Sequence, residues 1–376
     1  MTRSFRVGRV FGIDIEIDYT WFIIFALVVF GLSSTAGPLA RALPDSTPLA
    51  YRLLLGVLTA LLFFGSVLLH ELSHSLVALH NGMQISGITL FIFGGVSKMT
   101  DEPRTPGIEF RMAIAGPGAS FALALLFYFL GRLFGGSSLV LGSMCLWLAV
   151  INGFLGAFNL LPGFPLDGGR VLRAGLWHLS ASLPEATRIA AAFGQGLGAI
   201  MIVLGLFIFF AAREGINGLW LAFIGWFLIQ AAQSSYQQVI VKQTLSGVTV
   251  SDIMTREVDA VQADCTLEEV VHEHVLTHSH PAYPVFEDDH LLGLLSLSDI
   301  RHVPRAQRDH VTARQVVPPL AESQTISPGA EVWDALGKMA TKDQGRLLVM
   351  EDGRMVGIVS RTDIMRVMRT RMELGT

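Results

Sequence analysis

The sequence predicts a membrane α-helical protein with six transmembrane helices and small β elements, followed by a soluble α/β part. Three observations lead to this division. The chain has 376 residues, of which only 15% are charged and 51% are hydrophobic, whereas soluble globular proteins carry about 25% charged residues. Long uncharged runs lie in the first two thirds of the chain. The last third, from about Val248, has an ordinary soluble composition and contains an internal repeat.

The predicted membrane helices follow one another through the first 240 residues. A helix needs about twenty apolar residues to cross a bilayer. With six spans, most Lys and Arg residues of the loops fall on the side that holds both termini. This asymmetry predicts a multi-pass protein of the cell membrane whose termini and soluble part are cytoplasmic. The predicted segments are 20–32, 53–82, 111–130, 139–161, 187–212 and 219–233.

Two stretches near these helices predict β structure. Between Phe5 and Asp18, three isoleucines alternate with acidic residues, which is typical of a strand with one wet face. The stretch from Gln84 to Met99 reads as β structure that turns or bends at Gly94-Gly95. An exposed strand edge there can pair with an extended peptide. A purely structural hairpin fits the same residues.

The second predicted helix carries the motif His70-Glu71-Leu72-Ser73-His74. Residues four apart lie on one face of a helix, so the imidazoles of His70 and His74 can hold one metal ion. In this HExxH arrangement Glu71 takes a proton from a water molecule whose pKa the metal lowers to about 7. Two histidines at this spacing also occur as ordinary surface residues. Here they follow an uncharged run, where polar groups are costly in lipid unless they have a function.

A second polar segment ends the fourth predicted helix and runs from Asn159 to Gly169. Its two prolines cannot continue a regular helix, and irregular backbone at membrane depth is tolerated where it is buried in protein or lines a cavity. Catalytic zinc usually has three protein ligands, and Asp167 is the natural third. Asn159 is a candidate hydrogen-bond donor to an oxyanion or a substrate backbone. The alternatives are a helix cap for Asp167 and a satisfied intramembrane polar residue for Asn159.

The last third repeats at an offset of 64 residues, since Gly293–Ile300 matches Gly357–Ile364. Each unit reads as strand, turn, strand and helix, preceded by a further helix such as Thr266–Leu276 or Val332–Met339. The two cysteines, Cys145 and Cys265, fall in different predicted domains, so no disulfide is expected.

The two polar motifs together resemble the site-2 protease family of intramembrane zinc metalloproteases, over about residues 5–240. The resemblance implies zinc as cofactor, with Glu71 as general base and Asn159 holding the substrate. Members cleave membrane-anchored regulatory proteins in or near a transmembrane segment, so the implied partners are such a substrate and the lipid bilayer. The implied zinc ligands are His70, His74 and Asp167.

The repeat is similar to a tandem of CBS domains, expected at 248–304 and 310–370, with a linker at 241–247 after a protease domain at 1–240. Such pairs often bind adenine nucleotides, which implies ATP, ADP or AMP as a ligand. Asp299 and Asp363 would then hold ribose hydroxyls, while Ser296 and Ser360 would face phosphate. The alternative is a dimerisation module that makes a homodimer, with each Asp capping its following helix.

The leading interpretation is an intramembrane zinc protease with a cytoplasmic regulatory tandem. Two alternatives stand beside it, a CBS-regulated membrane transporter and an inactive zinc-binding homologue. Conduction needs neither polar motif, and the intact Glu71 argues against an inactive protein. The net charge of −4 gives no indication of nucleic-acid binding.

Overall fold

The computed structural model of the chain describes residues 4–35, 37–39, 42–44, 46–99, 102–211, 215–278, 280, 282–288, 290–341 and 344–374. It forms two compact units, Met1–Val239 and Ile240–Thr376.

The first unit is built on long apolar helices. Five helices in the described part of the chain are long and apolar enough to cross a membrane, which confirms a helical, multi-pass membrane protein. A sixth, the first along the chain, has 13 residues. It is therefore about 20 Å long against a hydrocarbon core of about 30 Å. The helices are α1 (Trp21–Ser33), α2 (Leu49–His80), α3 (Pro106–Phe134), α4 (Leu139–Asn159), α5 (Asp167–Ser180), α6 (Leu183–Ala211) and α7 (Gly215–Leu245).

Several helix ends differ from the sequence prediction. Helix α3 starts five residues earlier than Arg111, because the Thr105 side chain caps it by accepting a hydrogen bond from the Ile108 N–H over 3.3 Å. Helix α7 continues through most of the expected 241–247 linker, because its last residue, Leu245, is fully buried in the core of the second unit. Ala212, the expected end of the fifth span, lies outside the described residues.

A four-stranded sheet packs beside α2. Its strands are β1 (Ser4–Val10), β2 (Ile13–Asp18), β3 (Ile85–Phe91) and β4 (Gly94–Met99), in the order β1-β2-β3-β4. Strands β2 and β3 are parallel, and the outer pairs are antiparallel. Ile13 and Ile15 are buried against Leu72 of α2, as expected for the dry face. Asp18, expected on the wet face, is buried as well, because its carboxylate accepts hydrogen bonds from Thr20. Strand β4 lies at the edge of the sheet, next to the helix that carries the histidines.

The second unit contains two three-stranded sheets, ordered β5-β6-β7 and β10-β9-β8. Its strands are β5 (Val261–Gln262), β6 (Ala282–Glu287), β7 (His290–Ser296), β8 (Thr325–Ile326), β9 (Arg346–Glu351) and β10 (Arg354–Ser360). Its helices are α8 (Val250–Ile253), α9 (Leu267–Glu269), a π-helix (Val270–Val275), α10 (Leu276–His278), α11 (Leu297–His302), α12 (Ala313–Val316), α13 (Val332–Thr341) and α14 (Arg361–Leu374), with 3₁₀ turns at Arg305–Gln307 and Glu322–Gln324.

The predicted repeat is confirmed by these two sheets. Each has one short parallel strand beside an antiparallel hairpin, and a helix follows each hairpin. Tyr283 and Val285 are buried in the core of one repeat, while Leu347 and Val349 are buried in the core of the other. Both cysteines are free, as expected.

Candidate metal centre

The two histidines of α2 and the aspartate of α5 meet at one point. The Nε2 atoms of His70 and His74 lie 3.2 Å apart. Asp167 Oδ2 lies 3.1 Å from His70 Nε2 and 3.2 Å from His74 Nε2. Among the described residues, this is the one set of three His, Cys, Asp or Glu side chains that converges closely enough to hold a metal ion. The structure therefore brings together all three predicted ligands.

The spacing of these three atoms suits a tetrahedral zinc ion. Zinc binds imidazole nitrogen and carboxylate oxygen at about 2.0–2.2 Å, so two ligand atoms of a tetrahedral site lie about 3.3 Å apart. The three separations of 3.1–3.2 Å are close to that value. Two nitrogens and one oxygen are also the donor set of many catalytic zinc sites, in which the fourth position stays open. The residues present thus fit zinc.

Helix α3 fixes the orientation of both imidazole rings. His74 Nδ1 lies 2.6 Å from the carbonyl oxygen of Met112, and His70 Nδ1 lies 2.9 Å from Ser120 Oγ. A carbonyl oxygen only accepts hydrogen bonds, so His74 donates from Nδ1 and its Nε2 lone pair is left for a metal. Partners of this kind orient metal-binding histidines and raise their basicity as ligands.

The close approach of α3 depends on Gly116. A Cβ atom at this position would lie 2.7 Å from His70 Nε2 and 2.6 Å from Cε1 of His74, closer than real Cβ contacts come. Gly116 is followed by Pro117, which α3 accommodates within the helix. Gly118, by contrast, has open space around the same position.

Asp167 reaches the histidines through a loop that is held against α6. The Phe164 N–H donates to the carbonyl of Ala190 over 3.1 Å, and the Phe164 side chain is buried against Ala190 and Ala191. Leu166 is extended, and α5 begins at Asp167. The peptide bond between Phe164 and Pro165 is cis. Instead of capping α5, the carboxylate of Asp167 faces the two imidazoles.

Glu71 lies against the edge strand β4. A Cβ atom on Gly95 would stand 3.0 Å from the Glu71 carboxylate carbon, so only glycine leaves room for the carboxylate. No hydrogen bond ties the Glu71 side chain to another described residue. A polypeptide paired to the free edge of β4 would therefore lie beside this carboxylate. The arrangement places a carboxylate beside the outermost strand of the sheet.

Asn159 is the last residue of α4 and is half-buried. Its Nδ2 donates to the carbonyl of Leu155 over 3.1 Å, within its own helix. The structure thus places Asn159 at the start of the loop that leads to Asp167, without a hydrogen bond to the metal centre. A second asparagine, Asn152, is fully buried and donates to Ser66 Oγ on α2 over 3.3 Å, so it joins α4 to α2.

The four residues proposed for nucleotide binding form two matching helix caps. Ser296 Oγ donates to Asp299 Oδ2 over 2.5 Å, and Ser360 Oγ donates to Asp363 Oδ2 over the same distance. In each pair the Asp N–H donates back to the serine oxygen over 3.3 Å. These are capping boxes at the starts of α11 and α14. Both aspartates therefore cap the helices that follow them, as the alternative interpretation expected. Nucleotide binding by these four residues stays a prediction.

Sequence reasoning missed two residues that orient the ligands and two that form a buried ion pair between α3 and α5. Ser120 and Met112 orient the ligands, and the pair Glu109–Arg173 joins α3 to α5 by a buried ion pair. Polar side chains inside or next to apolar helices were the available signal for three of them. Met112 acts through its backbone carbonyl, which leaves no mark in the sequence.

Apolar helices around a His-His-Asp centre define the class of this protein, a membrane protein with a candidate zinc site. Its similarity to known proteins identifies the family. The profile described as Peptidase family M50 matches residues 58–142 and 136–205, and the CBS domain profile matches 250–305 and 311–370. The chain is 35% identical to "Putative zinc metalloprotease Rip3" of Mycobacterium tuberculosis, over 98% of this chain and 93% of that protein.

Two archaeal proteins are similar as well. A zinc metalloprotease of Methanocaldococcus jannaschii is 34% identical over 98% of this chain and 97% of its own length. The solved site-2 protease from Methanocaldococcus jannaschii aligns at 32% identity with a TM-score of 0.43, over 62% of this chain and 95% of that one.

The chain belongs to peptidase family M50, the site-2 protease family of zinc metalloproteases, because its curated relatives match it over nearly their whole length. It carries a tandem of CBS domains after the protease region.

Proposed function

We propose that this chain hydrolyses peptide bonds in or near the transmembrane segments of membrane-anchored proteins. The convergence of His70 Nε2, His74 Nε2 and Asp167 Oδ2 within 3.2 Å of one another carries the proposal. These three side chains would hold zinc. When bound, zinc supplies Lewis-acid activation of a water molecule and of the scissile carbonyl. Family membership and the apolar spans support a substrate that resides in the membrane.

Glu71 is proposed as the general base. Glu71 directly follows His70 on α2, and its carboxylate lies against the backbone of Gly95. No hydrogen bond to another described residue holds the carboxylate elsewhere. Glu71 would accept a proton from the attacking water and pass it to the departing amine, which is the role of this Glu in HExxH peptidases. Asn159 is proposed to rotate away from Leu155 and hold the substrate backbone, since its amide stands at the entrance of the Asp167 loop.

The edge of β4 is proposed as the place where an unwound substrate segment binds. A helical peptide bond is shielded by its own turns, so the substrate must become extended before its carbonyl is open to attack. Strand addition satisfies the main-chain hydrogen bonds of such a segment. The position of Glu71 beside β4 would then put the scissile bond next to the base.

The short helix α1 is proposed as a sixth membrane segment, which keeps both termini on the same side. The excess of Lys and Arg in the loops on that side makes it the cytoplasmic one. The CBS pair is proposed as a regulatory module that binds ATP, ADP or AMP and, by the pairing common in its family, links two copies of the chain. The identical caps at Ser296 and Ser360 support paired sites of similar shape.

The function is tested with Glu71→Gln in the full-length protein. The variant should bind zinc with the wild-type stoichiometry and lose at least about 10²-fold in turnover, because general base catalysis contributes about 10²–10⁴-fold. Membrane proteins that accumulate in cells expressing this variant would be substrates, to be cleaved by the purified wild type in liposomes. Glu185→Gln, at an exposed position on α6, is the matched control. Wild-type turnover in Glu71→Gln would contradict the proposed base.

The ligand assignment has a separate test. Asp167→Ala, His70→Ala and His74→Ala should each weaken zinc binding enough that the metal is lost on dialysis, as metal analysis would show. Ser73→Ala changes a half-buried residue of the same helix turn, whose hydroxyl donates only to the carbonyl of Leu69, and serves as control. Full zinc retention in Asp167→Ala would contradict its role as third ligand.

A further inference from the structure

Helices α3 and α5 are joined by an ion pair that is shut off from solvent. Arg173 Nε on α5 donates to Glu109 Oε1 on α3 over 2.6 Å, and Arg173 Nη2 also contacts this oxygen. The Glu109 side chain is 0% exposed and the Arg173 side chain 8%. Glu109 Oε2 is buried and has no hydrogen-bond partner among the described residues. The Arg173 guanidinium stands over the ring of Phe164, 5.1 Å from its centre.

Stability alone is a weak reason for such a pair. Taking two charges out of water is costly, and well-packed apolar residues in the same place are often as stable or more so. A pair that is present despite this cost is better explained by the geometry it fixes. The elements that this pair joins are the two that, together with α2, form the metal centre.

The pair lies within about two helical turns of groups that form the metal centre. On α3, Glu109 stands three residues before Met112, whose carbonyl accepts from His74 Nδ1. On α5, Arg173 stands six residues after Asp167, the first residue of that helix. The Arg173 guanidinium also covers Phe164, whose N–H ties the Asp167 loop to α6. One side chain thus contacts both the helix that orients the histidines and the loop that delivers the aspartate.

We infer that Glu109 and Arg173 are positioning residues that hold the Asp167 carboxylate against His70 and His74. The inference rests on the proposed zinc function. Neither residue touches the metal-binding atoms, so both act through Asp167. Without the pair, α5 is free to shift along α3, and Asp167 Oδ2 leaves the position 3.1–3.2 Å from the two imidazole nitrogens. The histidines keep their own partners on α3, so two of the three ligands remain in place.

The test measures zinc affinity of the purified full-length protein by competition with a chelator. Glu109→Gln should weaken zinc binding about 10–100-fold, the usual effect of losing a partner that orients a ligand. In an Asp167→Ala background the same change should alter affinity by no more than about twofold, because the ligand it acts on is already gone. The matched control is the exposed pair Glu185–Arg188 on α6, whose charges lie 3.8 Å apart. Glu185→Gln should leave zinc affinity unchanged.

A cobalt-substituted protein gives a second readout. The visible absorption of Co²⁺ depends on its ligands and geometry, and loss of stability alone does not move the bands of the folded fraction. Glu109→Gln should shift the bands in the same direction as Asp167→Ala. Arg173→Met is the second variant if Glu109→Gln does not fold. It leaves a carboxyl group that can take up a proton and become neutral, whereas Glu109→Gln leaves a buried cation.

The outcomes separate this inference from the proposed function. If Asp167→Ala loses zinc affinity while folded Glu109→Gln and Arg173→Met bind zinc as the wild type does, the positioning role is overturned and the ligand assignment stands. If Glu109→Gln lowers zinc affinity by the same factor in the wild-type and in the Asp167→Ala background, the pair acts on the fold in general. The positioning role is then again overturned. If Asp167→Ala keeps wild-type affinity, the ligand assignment and this inference both fail.

Discussion

A methyl group on Gly116 would lie 2.7 Å from Nε2 of His70, the nitrogen that faces Asp167. The backbone of α3 therefore forms a wall of the metal centre, and the helix approaches this closely only because residue 116 has no side chain. The same helix supplies Ser120 and the Met112 carbonyl, which hold the two imidazole rings from the other nitrogen. Close approach and ring orientation depend on each other, since moving α3 outward would break both hydrogen bonds.

Gly116→Ala is expected to lower zinc affinity by about 10–100-fold, as loss of ligand orientation does. The added methyl group pushes α3 or the imidazoles apart and opens the set of three ligands. The measurement is chelator competition on the purified protein. Gly118→Ala makes the same chemical change two residues further along α3, where nothing lies within 4 Å of the new group. Equal zinc affinity in the two variants would contradict the proposed crowding.

Gly95→Ala is expected to impair turnover and spare the metal. Its methyl group would meet the Glu71 side chain, at 3.0 Å from the carboxylate carbon. Displacing a general base lowers turnover by up to the about 10²–10⁴-fold that the base contributes. His70 and His74 are not displaced, so they should keep zinc. Zinc content and turnover are measured side by side. Gly65→Ala, in open space on α2, should behave as the wild type. Loss of zinc in Gly95→Ala would contradict a clash that is confined to Glu71.

Substrate unwinding can be tested by changes in the substrate and by changes in the enzyme. Gly, Pro or Asn introduced near the scissile bond of a substrate should speed cleavage, because these residues weaken a helix. On the enzyme, N–H groups of an edge strand point alternately to the neighbouring strand and to the free edge. Val96 and Ser97 are neighbours on β4, so one of their two N–H groups points to the free edge. Each residue is changed to proline in a separate variant. The variant that loses the outward N–H should show a raised KM and retain zinc. Rates that are indifferent to both sets of changes would contradict strand pairing.

Nucleotide control is expected to depend on Asp299 and Asp363. The double change to alanine should abolish binding of ATP, ADP or AMP by calorimetry and remove any effect of nucleotide on the cleavage rate, while zinc stays bound. Coupling between sites is typically 1–3 kcal/mol, so the rate effect in the wild type should be about 5–150-fold.

The control for that double change must also lose a helix cap. Asp252 accepts from the Thr249 N–H over 2.8 Å and from Thr249 Oγ1 over 2.7 Å, the capping-box geometry of the other two aspartates. Asp252→Ala should lower stability by about 1 kcal/mol, as loss of a cap does, yet keep nucleotide binding. A wild type that binds no nucleotide, or binds it with no change in rate, would leave assembly as the role of the tandem.

The sequence by itself determined the parts of this protein that rest on local pattern. Two histidines four apart on an apolar helix face the same side wherever that helix packs. The 64-residue repeat and the alternation at Ile13 and Ile15 likewise fix secondary structure through neighbouring residues, and the structure has the expected strands. The third ligand was found from its chemistry and from the family resemblance.

Tertiary structure decided what depends on distant segments meeting. Asp167 is 97 residues from His70 along the chain, and Arg173 is 64 residues from Glu109. Nothing in the local pattern of α3 says that Gly116 must lie against an imidazole or that the backbone carbonyl of Met112 will hold one. Those contacts exist because α3 packs between α2 and α5, and helix packing is set by the shapes of all the faces together. The buried pair Glu109–Arg173 cannot be predicted from either helix alone, because each buried charge is tolerated only where the other one neutralises it.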